Sequence, residues 1–399
     1  MEKFTNKVAS ILMSLSIILI SSCAQRVTVV DENASTEKFI FNDDETVVRT
    51  TKDVLGKMSL REKVGQLFIV RPEALAENSN AETAPATDRV DDAVISRIEE
   101  YPVGGIALFS RNITSAEQLP MFISDLQSSS KYPLFIAVDE EGGRVARIAN
   151  SDFFNVASYK SMEDIGKAGD ASKAEEVGRQ IGFYLKELGF NLDFAPVADT
   201  NTNPQNIVIG DRSYGSDPAL VARMVSAQLD GMHDSGIMGT LKHFPGHGDT
   251  KDDTHSGYVS IEKTWDELKE CELVPFITAL PKADMVMVSH ITAVNVTSDK
   301  LPTSMSETMI TRKLRNELGY DGVIITDAMA MGAVADNYTS AEAAVTAVKA
   351  GVDIVLMPQN LDEAFNGVMN AVTDGEISMA RLDESVMRIL KLKARYKLI

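Results

Sequence analysis

Ionisable residues follow the ends of several short apolar segments in this chain. They are Asp139, Asp199, Lys242–His243, His290 and Asp327. Carboxylates, histidines and lysines are the groups with which proteins move protons, attack electrophilic carbon and bind polar ligands. A single residue of this kind would only mark where a strand stops. Their recurrence indicates instead that the ends of several strands meet at one functional site.

Three of the five histidines lie close together in the chain. Residues 242–255 read Lys-His-Phe-Pro-Gly-His-Gly-Asp-Thr-Lys-Asp-Asp-Thr-His, and the histidines are His243, His247 and His255. The glycines and the proline predict a loop rather than a helix or a strand. A loop rich in His and Asp suits acid–base chemistry or a metal site. The metal site is disfavoured, because these histidines lack the i, i+4 helical spacing and the adjacent lysine opposes a cation.

The elements that must position these residues are predicted by eight apolar runs. The runs are residues 65–70, 104–109, 134–138, 192–197, 238–241, 285–288, 323–326 and 354–357. Helical patterns occupy residues 171–188, 219–235, 306–317, 341–350, 362–372 and 382–396. Near-continuous apolar strands are typical of a parallel sheet that is buried on both faces. The pattern therefore predicts an α/β fold, a (β/α)₈ TIM-barrel-like domain, whose active site lies at the C-terminal ends of the strands.

The first residues are predicted to direct export rather than to join the fold. Lys3 and Lys7 precede the uncharged apolar run 8–20, and small residues precede Cys23. This order is typical of a signal peptide, and the run is too short to span a membrane. Small residues before a cysteine resemble a lipobox, so we expect a signal peptide over 1–22 and a lipid anchor on Cys23. A plain signal peptide with an incidental cysteine is the alternative.

A polar, acidic tether is predicted over residues 23–50 and a single catalytic domain over 51–399. We expect an exported protein on the periplasmic or cell-surface side of the membrane, acting as a monomer. With Cys23 lipidated, Cys271 has no partner for a disulfide. The 58 acidic residues exceed the 39 Lys and Arg residues, which gives a net charge of -19. This charge, with no basic stripe to offset it, excludes nucleic acid as a partner.

Five segments resemble glycoside hydrolase family 3, and more narrowly its β-N-acetylhexosaminidase branch. They are 139–147 (Asp-x-Glu-Gly-Gly-x-Val-x-Arg), 210–215 (Gly-Asp-Arg-Ser-Tyr-Gly), the run 242–250, the triplet 253–255 and 325–329 (Ile-Thr-Asp-Ala-Met). The resemblance extends in order over residues 51–399. Two departures are Thr254, where the family usually has Ser, and Ala328, where a second Asp is common. Neither departure removes a group that the mechanism needs.

The resemblance implies a retaining enzyme that removes terminal β-linked N-acetylglucosamine from oligosaccharides of peptidoglycan or chitin, without a cofactor or metal. Asp327 would be the nucleophile that forms a covalent glycosyl-enzyme. His255, oriented by Asp253, would be the acid/base, because an imidazole titrates near neutral pH. The residues expected to hold the sugar hydroxyls are Asp139, Arg147, Arg212, Lys242 and His243.

Several alternatives stay open at this stage. Arg147 and Arg212 would otherwise be ion-pair partners on the barrel rim. Glu141 is expected to support the Gly142–Gly143 turn, and Asp249 either orders its loop or contacts solvent. For function, the alternatives are a non-catalytic sugar-binding lipoprotein, a glycoside phosphorylase of the same family and a β-glucosidase.

Overall fold

The computed structural model describes residues 26–30, 37–41, 43–76, 84–250 and 259–399. Cys23, Asp253 and His255, to which the sequence assigns roles, lie outside these residues. Two strands, Arg26–Val30 and Glu37–Phe41, pair antiparallel ahead of the main domain. They lie within the stretch that the sequence predicts to be a tether.

Eight parallel strands form the centre of the domain. They are β1 (Phe68–Val70), β2 (Gly105–Ala107), β3 (Phe135–Val138), β4 (Leu192–Asp193), β5 (Met238–Phe244), β6 (Met285–Val288), β7 (Val323–Thr326) and β8 (Val355–Leu356). Each strand pairs with the next one in the chain from β1 to β7, and β8 pairs with β1. A single parallel bridge between Ile325 and Ile354 joins the two remaining edges. The predicted (β/α)₈ barrel is confirmed.

Helices surround this sheet. They are α1 (Glu45–Lys57), α2 (Leu60–Gln66), α3 (Asp92–Glu100), α4 (Gln118–Ser129), α5 (Met162–Lys167), α6 (Ala171–Leu188), α7 (Pro218–Asp234), α8 (Trp265–Glu270), α9 (Leu273–Ala279), the π-helix Thr308–Glu317, α10 (Gly332–Ala335), α11 (Ser340–Ala350), α12 (Leu361–Thr373) and α13 (Met379–Arg395). All six predicted helical patterns coincide with one of these elements. Within the described ranges, no helix combines the length and the apolar character needed to cross a bilayer.

Short secondary elements lie at the edges of the barrel. The strands Glu140–Gly142 and Val145–Ala146 form a hairpin directly after β3. The strands Val259–Ile261 and Ile291–Ala293 pair in parallel after β5 and β6. Because both pairs follow the C-terminal ends of barrel strands, they help to build the loops on that side of the sheet.

The strand predicted over residues 65–70 begins only at Phe68. A capping box at Ser59, in which Glu62 returns a hydrogen bond to the Ser59 backbone, starts α2, and this helix runs through Gln66. Gly65 belongs to the helix, where a Cβ atom would lie 2.1 Å from the carbonyl oxygen of Pro102. The absence of a side chain at this glycine therefore allows α2 to pack closely against the segment before β2. Gly65 does not belong to a strand.

Helix α1 crosses the boundary that the sequence predicts at residue 51. The Asp44 side chain caps this helix by accepting a hydrogen bond from the Val47 amide. Asp43 forms ion pairs with Lys391 at 3.1 Å and Arg395 at 2.5 Å, and α1 packs against α13. The folded domain thus includes residues 43–50, which the sequence predicts to be part of the tether.

Candidate active site

A cavity of about 410 Å³ lies at the C-terminal ends of the barrel strands. Every residue to which the family resemblance assigns a catalytic or sugar-binding role, and which the structure describes, lines it, namely Asp139, Arg147, Arg212, Lys242, His243 and Asp327. They come from the segments after β3 and β7, from the loop after β4 and from the end of β5. The structure therefore brings together side chains that are nearly 200 positions apart in the chain.

Four ionised side chains form a network along one wall of the cavity. The Lys242 ammonium contacts Asp139 Oδ1 at 2.7 Å and Glu141 Oε1 at 2.6 Å. The guanidinium of Arg212 donates to both oxygens of Glu141, with Nε to Oε2 at 2.8 Å and Nη2 to Oε1 at 2.7 Å. These contacts hold the side chains of Lys242 and Arg212 in place, and both residues still line the cavity.

The Glu141 carboxylate stays ionised despite its burial. Its side chain is only 1% exposed. Burial by itself raises the pKa of this carboxyl, but the charges and hydrogen bonds of Arg212 and Lys242 outweigh it and hold the pKa well below its usual range. In turn, Asp139 and Glu141 outweigh the burial of Lys242 and raise the pKa of its ammonium. The wall of the cavity is therefore fully charged at neutral pH.

Glu140, not Glu141, supports the turn that follows β3. Its carboxylate accepts hydrogen bonds from the amides of Arg147, Ile148 and Ala149 and from the hydroxyl of Tyr184. The sequence-based expectation for Glu141 is thus wrong, because consecutive residues of an extended segment point to opposite sides. The turn itself needs glycine, since φ is +87° at Gly142 and +65° at Gly143.

Arg147 and Arg212 combine the two roles that the sequence leaves open. Arg212 is paired with Glu141, and Arg147 Nη2 lies 3.3 Å from Asp139 Oδ2. Both side chains also line the cavity. The guanidinium of Arg147 lies over the ring of Phe109 at 5.5 Å, and that of Arg71 lies over the same ring at 4.7 Å. The two arginines and this ring form a second part of the cavity lining, which contacts the Glu141 network through the Arg147–Asp139 pair.

A second network, centred on Asp199, orders the loop after β5. Asp199 is fully buried. Its Oδ1 accepts the His247 amide at 2.6 Å, and its Oδ2 lies 2.7 Å from Nδ1 of His243. The histidines lower the pKa of the Asp199 carboxyl although burial alone would raise it. Asp249 also orders this loop, with contacts to Thr202 at 3.1 Å and Lys263 at 3.2 Å.

Asp327 is the carboxylate with the fewest partners in the cavity. It follows β7 directly, and its Oδ1 accepts the Ala328 amide at 2.8 Å. Within the described ranges no Lys, Arg or His nitrogen lies within 4.0 Å of its carboxylate. The more distant charges of His243, His290 and Lys242 nevertheless lower the pKa of this carboxyl against the opposing effect of burial. Asp327 is therefore an ionised carboxylate that is free to contact a ligand.

His290, whose position in the sequence predicts a place at the cavity mouth, lies beneath it. Its side chain is fully buried, with Nδ1 2.8 Å from Ser304 Oγ and Nε2 2.9 Å from the carbonyl oxygen of Ala328. It thus supports the segment that carries Asp327. No group of three or more His, Cys, Asp or Glu side chains in the described part of the chain is arranged to hold a metal ion.

Three features of the site were not assigned from the sequence. They are the central position of Glu141, the wall formed by Arg71 and Phe109, and His247, which lines the cavity beside His243. For Glu141 a signal existed, because it lies two residues after Asp139 and an extended chain places such residues on the same side. For Arg71 a signal also existed, because it directly follows the apolar run 65–70, whereas for Phe109 the sequence offers none.

The family model described as "Glycosyl hydrolase family 3 N terminal domain" matches residues 59–392. The chain belongs to glycosyl hydrolase family 3. The match covers most of the described barrel and all the strands whose ends form the cavity. It confirms the resemblance that the Asp-x-Glu-Gly-Gly and Lys-His-Phe-Pro-Gly-His-Gly segments indicate.

Relatives within family 3 are similar over much of the chain. Beta-hexosaminidase A of Pseudoalteromonas piscicida is 36% identical over 329 residues, which are 75% of this chain and 54% of that protein. Beta-hexosaminidase LpqI of Mycobacterium tuberculosis is 32% identical over 349 residues, 84% of this chain and 83% of LpqI. The chain thus spans about half the length of the first relative and most of the second.

Solved structures of family 3 proteins show the same barrel. A β-N-acetylglucosaminidase from Paenibacillus sp. str. FPU-7 is 38% identical and has a TM-score of 0.78, with 86% of this chain and 63% of that chain covered. M. tuberculosis LpqI is 30% identical with a TM-score of 0.74, over 86% of this chain and 96% of that chain.

Proposed function

We propose that this protein is a retaining β-N-acetylhexosaminidase that hydrolyses terminal, β-linked N-acetylglucosamine. The observation that carries the proposal is the position of Asp327, an ionised carboxylate without an ion-pair partner among the described residues, inside a cavity lined with groups that bind hydroxyls. The names of the family 3 relatives, β-hexosaminidase and β-N-acetylglucosaminidase, support the choice of substrate.

In the proposed mechanism, Asp327 attacks the anomeric carbon of the terminal sugar. The glycosidic bond breaks, the leaving oxygen takes a proton, and a covalent glycosyl-enzyme forms. A carboxylate suits this step because it is anionic at neutral pH, stabilises the positive charge that develops on the sugar and is displaced again by water. Asp327 attacks from the face opposite the leaving group, and water then displaces it from the face opposite Asp327, so the two inversions together retain the configuration of the anomeric carbon.

His255, oriented by Asp253, is proposed to be the acid/base. Both residues belong to the stretch 251–258, which lies outside the described residues. The stretch follows Thr250, whose hydroxyl is 2.7 Å from Nδ1 of the cavity-lining His247, and this proximity supports the assignment. His255 would protonate the leaving group and then remove a proton from water, while Asp253 would stabilise the imidazolium.

The charged walls of the cavity are proposed to hold the sugar ring. Asp139 would accept hydrogen bonds from hydroxyls, and Lys242, Arg147, Arg212 and His243 would donate them. Because these groups are already paired with each other or with the protein, their positions are set before the substrate arrives. Such preorganisation lowers the cost of ordering the site on binding.

The test is turnover of an aryl β-N-acetylglucosaminide, with the anomeric configuration of the product followed by NMR. We expect retention, no effect of a chelator, and loss of activity in Asp327→Ala. His255→Ala should accumulate glycosyl-enzyme, and azide should restore turnover because it needs no base. Asp252→Ala is the matched control for Asp253→Ala, since only Asp253 belongs to the triplet. Full activity of His255→Ala on natural substrates would disprove the dyad.

We further propose that the natural substrates are fragments of peptidoglycan or chitin and that the protein is anchored through a lipidated Cys23. The anchor proposal rests on the apolar run 8–20 and the small residues before Cys23. Cys23→Ala should move the protein from the membrane to the soluble fraction or leave it unprocessed. A panel of soluble oligosaccharides of both classes, assayed with and without phosphate, identifies the substrate and separates hydrolysis from phosphorolysis.

A further inference from the structure

His247 lines the cavity, and one of its ring nitrogens has no hydrogen-bond partner among the described residues. Its side chain is only 2% exposed. Its Nε2 is buried, and no described residue offers it a hydrogen-bond partner. Buried polar atoms in folded proteins are almost always hydrogen-bonded, so an orphan of this kind needs an explanation.

Contacts on the other side of His247 fix the residue in place. Nδ1 lies 2.7 Å from the hydroxyl of Thr250, and the backbone amide donates to Asp199 at 2.6 Å. The backbone carbonyl accepts a hydrogen bond of 2.7 Å from Nδ2 of Asn206. Gly248 packs so closely on the chain that a Cβ atom would lie 1.9 Å from the carbonyl oxygen of Thr200. The ring therefore has no freedom to turn Nε2 toward another protein group.

The imidazole of His247 is neutral at physiological pH. Burial lowers its pKa, and this effect outweighs the nearby negative charges of Asp199 and Asp327. A neutral imidazole has one donor and one acceptor nitrogen. Because Nδ1 is engaged by Thr250, Nε2 is the ring nitrogen still available to a ligand among the contacts of the described residues, as an acceptor or as a donor according to the tautomer. A sugar hydroxyl satisfies either case, since it both donates and accepts.

We propose that Nε2 of His247 forms a direct hydrogen bond to the sugar that occupies the cavity beside Asp327. His247 is then a substrate-binding residue of the same site, distinct from the acid/base His255, and the inference rests on the proposed function. The group it contacts is a neutral polar group of the sugar, either a ring hydroxyl or the acetamido group. Unlike the paired Asp, Lys and Arg side chains of the cavity, its ring has a nitrogen that is left entirely to the ligand.

The test uses three substitutions that separate the two ring nitrogens. His247→Phe removes both. His247→Asn retains a polar atom near the position of Nδ1, so it preserves the contact with Thr250 but does not reach the cavity. His247→Gln is one carbon longer and places its amide near the position of Nε2. The measurements are the Kd of N-acetylglucosamine by calorimetry, and KM and kcat for aryl β-N-acetylglucosaminide and aryl β-glucoside.

We expect His247→Phe and His247→Asn to weaken N-acetylglucosamine binding by about tenfold to a hundredfold, and His247→Gln to restore most of the affinity. Loss confined to the acetamido substrate identifies the acetamido group as the partner, and equal loss on both substrates identifies a hydroxyl. If Asn behaves as the wild type while Gln resembles Phe, His247 only holds the loop through Thr250 and the proposal is overturned.

Binding and turnover distinguish failure of this inference from failure of the proposed function. A wild-type protein that binds the sugar but does not hydrolyse the glycoside contradicts the proposed function, and the binding series still decides the role of His247. An active wild type whose affinity is unchanged in His247→Phe contradicts only the role of His247. A wild type that neither binds the sugar nor turns over the glycoside contradicts both.

Discussion

The two ends of the barrel both bury charged residues but satisfy them to different extents. At the N-terminal end of the strands, Asp353 accepts hydrogen bonds from Ser385 at 2.6 Å and from the Ile324 amide at 2.9 Å. It also forms ion pairs with Arg315, and with Arg388 at 3.4 Å. At the C-terminal end, the only described donor to the Asp327 carboxylate is the Ala328 amide.

This difference separates residues that stabilise the fold from residues that bind a ligand. Each Asp353 oxygen has several protein partners, and its guanidinium neighbours lower its pKa although burial would raise it. A buried charge that is fully paired contributes to a unique fold. Removing one partner lowers the free energy of unfolding, because the other charge is then left buried and unpaired. The Asp327 carboxylate and Nε2 of His247 instead retain capacity for further bonds. Residue type alone does not distinguish Asp353 from Asp327, whereas the number of their described partners does.

Lys393 is an intermediate case at the N-terminal end. Its ammonium is fully buried and bonds only neutral groups, Oε1 of Gln66 at 2.8 Å and the carbonyl oxygen of Gly104 at 3.0 Å. It also lies 4.7 Å from the centre of the Phe135 ring. Burial lowers its pKa to about 7. The charge is thus solvated by protein dipoles rather than neutralised by a carboxylate.

The largest effect is expected for Asp327→Ala. Because this substitution removes the proposed nucleophile, turnover of every glycoside substrate should fall by about 10⁴-fold or more. Because this carboxylate has few protein partners, the free energy of unfolding should change by no more than about 1 kcal/mol. Enzyme kinetics and urea unfolding measure the two quantities. A large fall in the free energy of unfolding would show that Asp327, like Asp353, stabilises the fold.

Asp353→Ala should show the opposite pattern. It leaves Arg315 and Arg388 buried without their carboxylate, so the free energy of unfolding should fall by about 3–5 kcal/mol. The kcat/KM of the protein that remains folded should be unchanged. Asp321→Ala is the control, since Asp321 pairs with Arg388 at 3.1 Å but is 49% exposed. That substitution should cost about 1 kcal/mol or less in urea unfolding.

Glu141→Gln should affect ligand binding more than stability. The amide has the shape of the carboxylate but lacks the charge that holds Lys242 and Arg212. Because hydrogen bonds to charged groups are stronger than neutral ones, KM for the aryl N-acetylglucosaminide should rise roughly tenfold to a hundredfold. Steady-state kinetics at saturating and limiting substrate give the split between KM and kcat. An unchanged KM would remove Glu141 from the binding site.

The smallest effect concerns Lys393 and depends on pH. Its pKa is about 7 in the folded protein against an ordinary 10.5, so between these values the unfolded chain binds a proton that the folded protein does not. The contribution of Lys393 to the free energy of unfolding therefore rises with pH across this window, by up to about 1.4 kcal/mol per pH unit. As the pH falls toward 7, this gain in stability is lost.

The measurement is urea unfolding of the wild type and of Lys393→Met at pH 7, 8 and 9. The difference between their free energies of unfolding reports Lys393 alone, because the other titrating groups are the same in both proteins. The stability of the wild type relative to Lys393→Met should increase with pH. Parallel curves for the two proteins would show that Lys393 titrates as an ordinary exposed lysine and that its burial does not shift its pKa.

Local patterns in the sequence predicted the barrel and the edge at which its site lies. Each of the eight apolar runs overlaps a barrel strand, and the helical pattern over residues 171–188 coincides with α6. Strands and helices can be predicted from neighbouring residues alone. A strand buried on both faces gives a continuous apolar run, and a helix buried on one face gives apolar residues at a regular spacing. The misassigned stretch at Gly65 combines a helix start signal with an apolar run, and the helix that the capping box starts extends through Gln66.

The pairing within the site was decided only by the tertiary structure. Glu141 and Arg212 are 71 positions apart, and Asp199 and His247 are 48 apart. No periodicity reports which histidine nitrogen is left without a partner among the described residues. The sequence by itself therefore determined the elements, the ends of the strands and the chemical types gathered there. Which charges are satisfied within the protein and which await a ligand depends on distances between remote segments, and folding alone sets those distances.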